Sequence, residues 1–216
     1  MKILLLTNKS HKVALEAIKF LELKKINFKC IDTKVHNKIK ISQKFDYLLS
    51  FLNPLFIKKD LRKKIKKMAI NFHPGPPEYP GYGCYNFALL DCINSYGCTA
   101  HLMNDKIDNG KIIDVKRFEF KYDNINLEKL IKLTHKNSFL LFKKIIFQII
   151  EKDFVKLENK EKWKKKKPYT KIQFEKARNV NLNDTKENIL KKIKALSYKN
   201  YKSVYLQIKG KKYEIR

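Results

Sequence analysis

NFHPGPPEYPGYG, residues 71–83, follows the apolar run MAI and gathers four of the chain's six prolines and three of its six glycines. A segment built this way cannot continue a regular helix or strand. It opens with Asn71 and His73 where a strand runs out, and a period of two puts their side chains on the same side. A third polar residue, Asp108 in KIDNG, sits on a turn further along. Together they supply what acyl transfer to an amine requires. The amide serves the developing oxyanion, the imidazole handles the amine's proton, and the carboxylate orients and holds the imidazole. The segment reads as the floor of an active site.

Around it, strand and helix patterns alternate. KILLLT (2–7), INFKCID (26–32), FDYLLSFL (45–52) and MAINF (68–72) read as strands. VALEAIKFLELKK (13–25) has helical spacing, and KKDLRKKIKKM (58–68) reads as a basic helix. After the Gly/Pro loop come a helix, CYNFALLDCIN (84–94), and the strands GCTAHLMN (97–104) and KIIDVKRFEF (111–120). Residues 127–152 predict a long helix with an apolar stripe through Leu130, Leu133, Phe139, Phe142, Ile146 and Ile149, packed across the sheet. Repeated βα units predict an α/β fold, a Rossmann-like, mostly parallel sheet with right-handed crossovers. Ligands sit at the carboxyl ends of such strands, and Asn71 and His73 lie at one of them. The expected main domain is 1–155. Residues 156–216 add a linker, a helix (187–196) and a β-hairpin (203–215) as a short appendage. A hairpin that small must pack on the main domain or on a second copy of the chain. The loop after the first strand, TNKSHK, carries neither GxGxxG nor GxxxxGK[ST], which disfavours classical dinucleotide binding and a P-loop.

The net charge of +28 has two readings, an anionic partner or a compositional bias. Lys greatly outnumbers Arg, whereas specific phosphate or base recognition usually recruits the planar fork of Arg, so bias is favoured. The densest run, KWKKKKPY (162–169), reads as a solvated linker. An apolar fraction of 44% with 12% aromatics argues against disorder. No apolar run is long enough to span a membrane, and the N-terminus lacks the longer apolar core of a signal peptide. The expected location is the cytoplasm, without membrane insertion. Cys30, Cys84, Cys92 and Cys98 form no CxxC pair and are read as reduced. His11, His36, His101 and His135 are read as structural or surface residues.

The order of the pieces resembles the 10-formyltetrahydrofolate-dependent formyltransferases, among them glycinamide ribonucleotide transformylase, methionyl-tRNA formyltransferase and the sugar-nucleotide N-formyltransferases. INFHPGPPEYPG (70–81), YGCTAHLMNDKIDNGKII (96–113) and SFLNPLFI (50–57) carry the likeness, in register over residues 1 to about 150. The resemblance implies that Asn71, His73 and Asp108 are catalytic. Asn71 would hold the formyl oxygen, His73 would share that task and pass protons, and Asp108 would set the charge of His73 and receive the amine's proton. It also implies 10-formyltetrahydrofolate as co-substrate, bound by Phe51, Leu52, Asn53, Leu55, Asp105 and Ile107. Asn8, Lys9, Pro74, Gly75, Tyr79 and Tyr82 would meet the acceptor. No metal is implied.

The acceptor is read from the same resemblance. Glycinamide ribonucleotide transformylases carry a glycine-rich phosphate loop where this chain has TNKSHK. Methionyl-tRNA formyltransferases add a C-terminal β-barrel for which too few residues remain. The tail, WKKKKPYTKIQF followed by IKALSYKNYKSVYLQIKGKKYEI, looks like the short tail of sugar N-formyltransferases, which in several cases builds a homodimer. The expected acceptor is therefore a nucleotide-linked amino sugar, a dTDP-4-amino-4,6-dideoxyhexose, on a path to lipopolysaccharide or another glycan. The two other formyltransferase acceptors are the alternatives. A basic nucleic-acid-binding protein on this fold is a non-enzyme alternative, and the three filled catalytic positions speak against it.

Overall fold

The computed structural model describes residues 1–36, 38–153, 155–198 and 203–215. Residues 199–202 of the tail stretch quoted above lie outside the described residues.

The first strand, β1 (Ile3–Thr7), is buried along its whole length. Alternate residues serve opposite faces: Ile3 and Leu5 join one core cluster, Leu4 and Leu6 another. Strands β2 (Phe28–Asp32), β3 (Phe45–Phe51) and β4 (Ile65–His73) join β1 in parallel. β5 (Ser95–Leu102) and β6 (Ile112–Glu119) add antiparallel. The order is β2-β1-β3-β4-β5-β6, a mostly parallel α/β sheet. Helices α1 (Lys12–Leu23) and α4 (Leu127–Lys152) cover one face. On α4, Leu130, Phe142, Ile146 and Ile149 are buried, and Asn126 caps its first turn by accepting from the Lys129 N–H.

One expectation fails in kind. The basic helix expected over 58–68 is a single turn, α2 (Lys59–Arg62), after which β4 begins at Ile65. Lysine tolerates a helix, but Ile65 and Met68 pair with Phe45 and Tyr47 of β3, and the ladder overrides that preference. Lys67 lies over the Tyr47 ring and ion-pairs with Asp153.

The tail holds more structure than expected. Helix α3 (Cys84–Leu90) is followed, past α4, by α5 (Lys171–Ala177), the short strand β7 (Asn179–Val180) and α6 (Lys186–Leu196). The signal for α5 is a capping box: Thr170 accepts from the Gln173 N–H, and the Gln173 side chain accepts from the Thr170 N–H. The hairpin β8 (Val204–Ile208) and β9 (Lys211–Ile215) pairs with β7 to make a three-stranded sheet. Val180 and Val204 enter one apolar cluster with Ala88, Leu89, Leu130 and Leu196. The hairpin thus finds its cover within this chain. All four cysteines are unpaired, and no described helix is long and apolar enough to cross a membrane.

Candidate active site

β4 and β5 build the site by register. Asn71 stands opposite His101 and His73 opposite Thr99, so the two pairs share one face of the sheet end. Asp108 reaches them from the β5–β6 connection in a left-handed conformation, φ +41°, which Asp tolerates better than most residues. Two residues on, Gly110 is required: a Cβ there would lie 1.6 Å from the Leu102 carbonyl oxygen.

The polar network is nearly closed. His73 Nδ1 lies 3.1 Å from Asp108 Oδ2, and its Nε2 donates to the Tyr79 carbonyl at 2.8 Å. A carbonyl only accepts, so Nε2 carries a proton and Nδ1 faces the carboxylate. The Gly81 N–H donates to the same Oδ2 at 2.8 Å. His101 Nδ1 donates to the Leu102 carbonyl at 2.9 Å, which turns its Nε2 to Asn71 Nδ2 (3.1 Å) and Asp108 Oδ1 (3.4 Å). The contact from Asn71 Nδ2 to Asp108 Oδ1 is 3.5 Å, too long to engage that amide hydrogen fully. One hydrogen of Asn71 is left for a ligand oxygen.

Burial pushes the His73 imidazolium down, against the pull of Asp108 and of the Tyr79 carbonyl. Burial also works against the Asp108 charge, but His73, His101 and the Gly81 N–H outweigh it and hold this carboxyl well below the usual range. The two groups titrate together around one proton position between Nδ1 and Oδ2.

This network floors a cavity of about 460 Å³ at the carboxyl ends of β1, β3 and β4. Of the residues singled out in the sequence, Asn8, Leu52, Asn53, Leu55, Asn71, His73, Pro74, Tyr82, Ile107 and Asp108 line it. The remainder lie off it. Phe51 is buried in the core, against Phe72 and Phe142. Tyr79 packs its ring between Tyr96 and Tyr169, donates its hydroxyl to Asp91 and serves the site through its carbonyl. Gly75 accepts from the Thr99 hydroxyl behind His73. Lys9 is exposed, and exposed Asp105 ion-pairs with Arg62. In the wall made by residues 50–57, the Asn53 amide donates to Ser50 Oγ and to the Leu55 carbonyl, and its oxygen accepts from the Leu55 N–H. Asn53 thus braces that loop from within.

The matching family model carries the description "Formyl transferase" and covers residues 31–146, more than half of the chain. The chain belongs to the formyl transferase family. Part of a trifunctional purine biosynthetic protein, adenosine-3, from Chironomus tentans is 29% identical over 134 residues, which is 60% of this chain but 9% of that protein. Solved structures with the same fold include three described as formyltransferases. A sugar N-formyltransferase from a Shewanella species is 19% identical with a TM-score of 0.78, over 100% of this chain and 96% of the other. A 4-N formyltransferase from Francisella tularensis is 20% identical at 0.76, over 100% and 98%. An N-formyltransferase from Helicobacter canadensis, solved with folinic acid and dTDP-3-aminofucose, is 20% identical at 0.71, over 98% and 85%.

Two features of this family member escaped the sequence reading. His101 was assigned no role, yet it is 3% exposed and contacts both Asn71 and Asp108. Its signal was available: Thr99 and His101 alternate on a strand whose antiparallel partner ends in Asn71 and His73. The lysine-rich run is the second. Trp163 donates its indole N–H to the Gly110 carbonyl at 2.8 Å and sets its ring edgewise against His101 and His73, at 5.1 and 5.7 Å. Lys164 and Tyr169 donate backbone bonds to Pro77 and Pro80, and the Tyr82 N–H donates to Tyr169. Arg117 joins Glu78 of the loop after β4 to Glu161, just before the run. The expected solvated linker is a strap. Its lysines face water while its aromatic residues and backbone fasten the loop.

Proposed function

We propose that the protein transfers a formyl group from 10-formyltetrahydrofolate to the amine of a nucleotide-linked amino sugar, with dTDP-4-amino-4,6-dideoxyhexose as the specific acceptor. The observation that carries this reading is the Asn71–His73–His101–Asp108 network at the floor of the cavity. It offers one free amide hydrogen beside one carboxylate. The folate would lie along residues 50–57 with Ile107, and the acceptor would enter past Tyr82.

The chemistry follows from the contacts. The free Asn71 hydrogen bonds the formyl oxygen and strengthens as charge grows there. The attacking amine gives its proton to Asp108, and the position shared with His73 Nδ1 receives it. Both nitrogens of His73 have partners, so His73 acts through Asp108 and does not reach the formyl oxygen itself. His101 Nε2 lies 3.1 Å from the Asn71 amide nitrogen and 3.4 Å from Asp108 Oδ1, so it helps to hold both groups in place.

The choice of acceptor is supported by likeness over nearly the full length of sugar N-formyltransferases, one of them holding folinic acid with a dTDP-amino sugar. The purine relative favours glycinamide ribonucleotide as the second reading. The first-strand loop TNKSHK, which lacks glycine, stands against it. A cytoplasmic homodimer acting in glycan biosynthesis completes the proposal. The test is formyl transfer by the purified protein to dTDP-, UDP- and GDP-linked amino sugars, glycinamide ribonucleotide and methionyl-tRNA. Formylation of glycinamide ribonucleotide alone would replace the acceptor and keep the chemistry.

A further inference from the structure

Helices α1 and α4 turn one side to the sheet and the other to solvent. Their flanks meet from His11 against His135 at one end to Phe20 and Lys24 against Phe147 at the other, so the helices run side by side in the same direction. The cavity lies at the first end, where His11 and His135 line its wall. Towards the far end, on the solvent side, Leu140, Phe147 and Ile150 of α4 are 39–43% exposed, and Leu23 of α1 is 72% exposed. Steps of seven and three put the α4 residues on one stripe, opposite the buried Phe142, Ile145 and Ile149. The tail meets α4 earlier, at Leu127, Leu130 and Ile131.

Lysine fills the space around the stripe. α1 carries two lysines and two glutamates, whereas α4 carries six lysines and two glutamates. Glu128 pairs with Lys132, and Asp114 of β6 pairs with Lys144. Lys24 Nζ lies 5.1 Å from the centre of the Phe147 ring, and Lys143 Nζ lies 4.9 Å from that of Phe139. Long cationic side chains so placed lay their stems on apolar surface and hold the charge at its rim. A lysine-rich composition puts lysine on any surface, and single exposed apolar residues are ordinary. A row of apolar residues along one helix, rimmed by cations, fits a partner with an anionic surface over an apolar interior. A second copy of the chain fits poorly, because a two-fold contact would set the same lysine rows against each other.

We propose that the α1–α4 face binds the surface of a bilayer rich in anionic lipid. Leu140, Phe147, Ile150 and Leu23 enter the headgroup boundary, and the surrounding lysines meet lipid phosphates. The helices lie on the bilayer and do not cross it: among the described residues no helix is long and apolar enough to span one. The cavity, at the other end of the two helices, stays open to reactants from solution in the bound state.

The test is co-sedimentation of the full chain with vesicles of phosphatidylcholine alone or mixed with phosphatidylglycerol. Binding is expected only with phosphatidylglycerol, and raising the salt should weaken it. Phe147→Ser and Ile150→Ser are each expected to weaken it about tenfold, and Lys143→Gln about fivefold. Circular dichroism and thermal melts should match the wild type for Ile150→Ser, whose side chain is exposed, which keeps the test valid if Phe147→Ser folds poorly. A Phe147→Trp variant should be quenched by brominated lipid, whereas the wild type, whose single tryptophan is Trp163 of the strap, should not. The proposal is overturned if phosphatidylglycerol vesicles do not bind the wild type at low salt. It is also overturned if they bind both serine variants as tightly as the wild type, since diffuse charge would then be the cause. Binding to polyglutamate or to a homopolymer RNA that both serine variants weaken, with no vesicle binding, would assign the face to an acidic macromolecule instead. A dimer that the serine variants disperse, with no vesicle binding, would assign it to a second copy.

Discussion

Two regions grip the same loop, residues 74–83, and they are made of opposite material. Below it, the ends of β4 and β5 supply a buried polar cluster in which nearly every atom has a partner. On its other side runs the strap 161–169, in which Lys162 and Lys164 to Lys167 are exposed while Glu161, Trp163, Pro168 and Tyr169 are half-buried. On the proposed reading the floor carries the chemistry, and the strap fastens the loop above it. A floor of charged, hydrogen-bonded groups works only if its donors stay within a few tenths of an ångström of their places. Backbone bonds from a strap rich in solvated charge can provide that without adding apolar surface to a small protein.

Substitutions on the two sides should separate these roles. Asp108→Asn removes the proton acceptor while its amide oxygen can still accept from the Gly81 N–H; turnover should fall about 10³-fold or more, with folate affinity nearly unchanged, measured by formyl transfer and calorimetry. Asn71→Ala should cost about a hundredfold. Equal loss of substrate binding in either variant would mean that the floor is structural.

The strap should respond more mildly and in a different observable. Trp163→Ala should lower kcat by about tenfold with KM nearly unchanged. The acid limb of the kcat profile should lie below 6.5 in the wild type, because burial lowers His73. Admitting water beside the ring should move that limb up toward the ordinary value. Trp163→Phe, which keeps a ring and loses the N–H to Gly110, should fall between. An unmoved limb would mean that the strap only stabilises.

Gly81 couples the two regions, with φ +90° and a hypothetical Cβ 2.4 Å from the Tyr169 carbonyl oxygen. Gly81→Ala should destabilise by about 1–3 kcal/mol in urea denaturation. The smallest effect concerns acid. His135 is lowered from 6.5 to about 4 by burial and His11, so the unfolded chain binds its proton first. Stability should fall as pH drops from 6.5 to about 4 and then level off, and His135→Gln should flatten that slope in thermal melts.

The floor was largely legible in the sequence and the strap was not. Asn71 and His73 end an apolar strand at the edge of a glycine- and proline-rich loop, and Asp108 sits in the turn after another apolar strand. The order of those turns pointed to the formyl transferase fold. His101 was missed because it lies inside an apolar strand, and only cross-strand register shows that it faces Asn71. Trp163 was missed because composition is averaged over a run: four lysines in a row hide one aromatic residue whose contacts are all distant in sequence. The basic helix expected at 58–68 failed for a related reason. Local preference suggested a helix, and pairing with β3 decided otherwise.

The most direct measurement is formyl transfer from 10-formyltetrahydrofolate by the purified chain, offered dTDP-linked amino sugars beside glycinamide ribonucleotide and methionyl-tRNA, with Asp108→Asn run in parallel. The expected result is a formylated dTDP-amino sugar that disappears in the variant. Turnover that survives Asp108→Asn, or no turnover with any acceptor while folinic acid still binds, would contradict the assignment of this network as the catalytic centre.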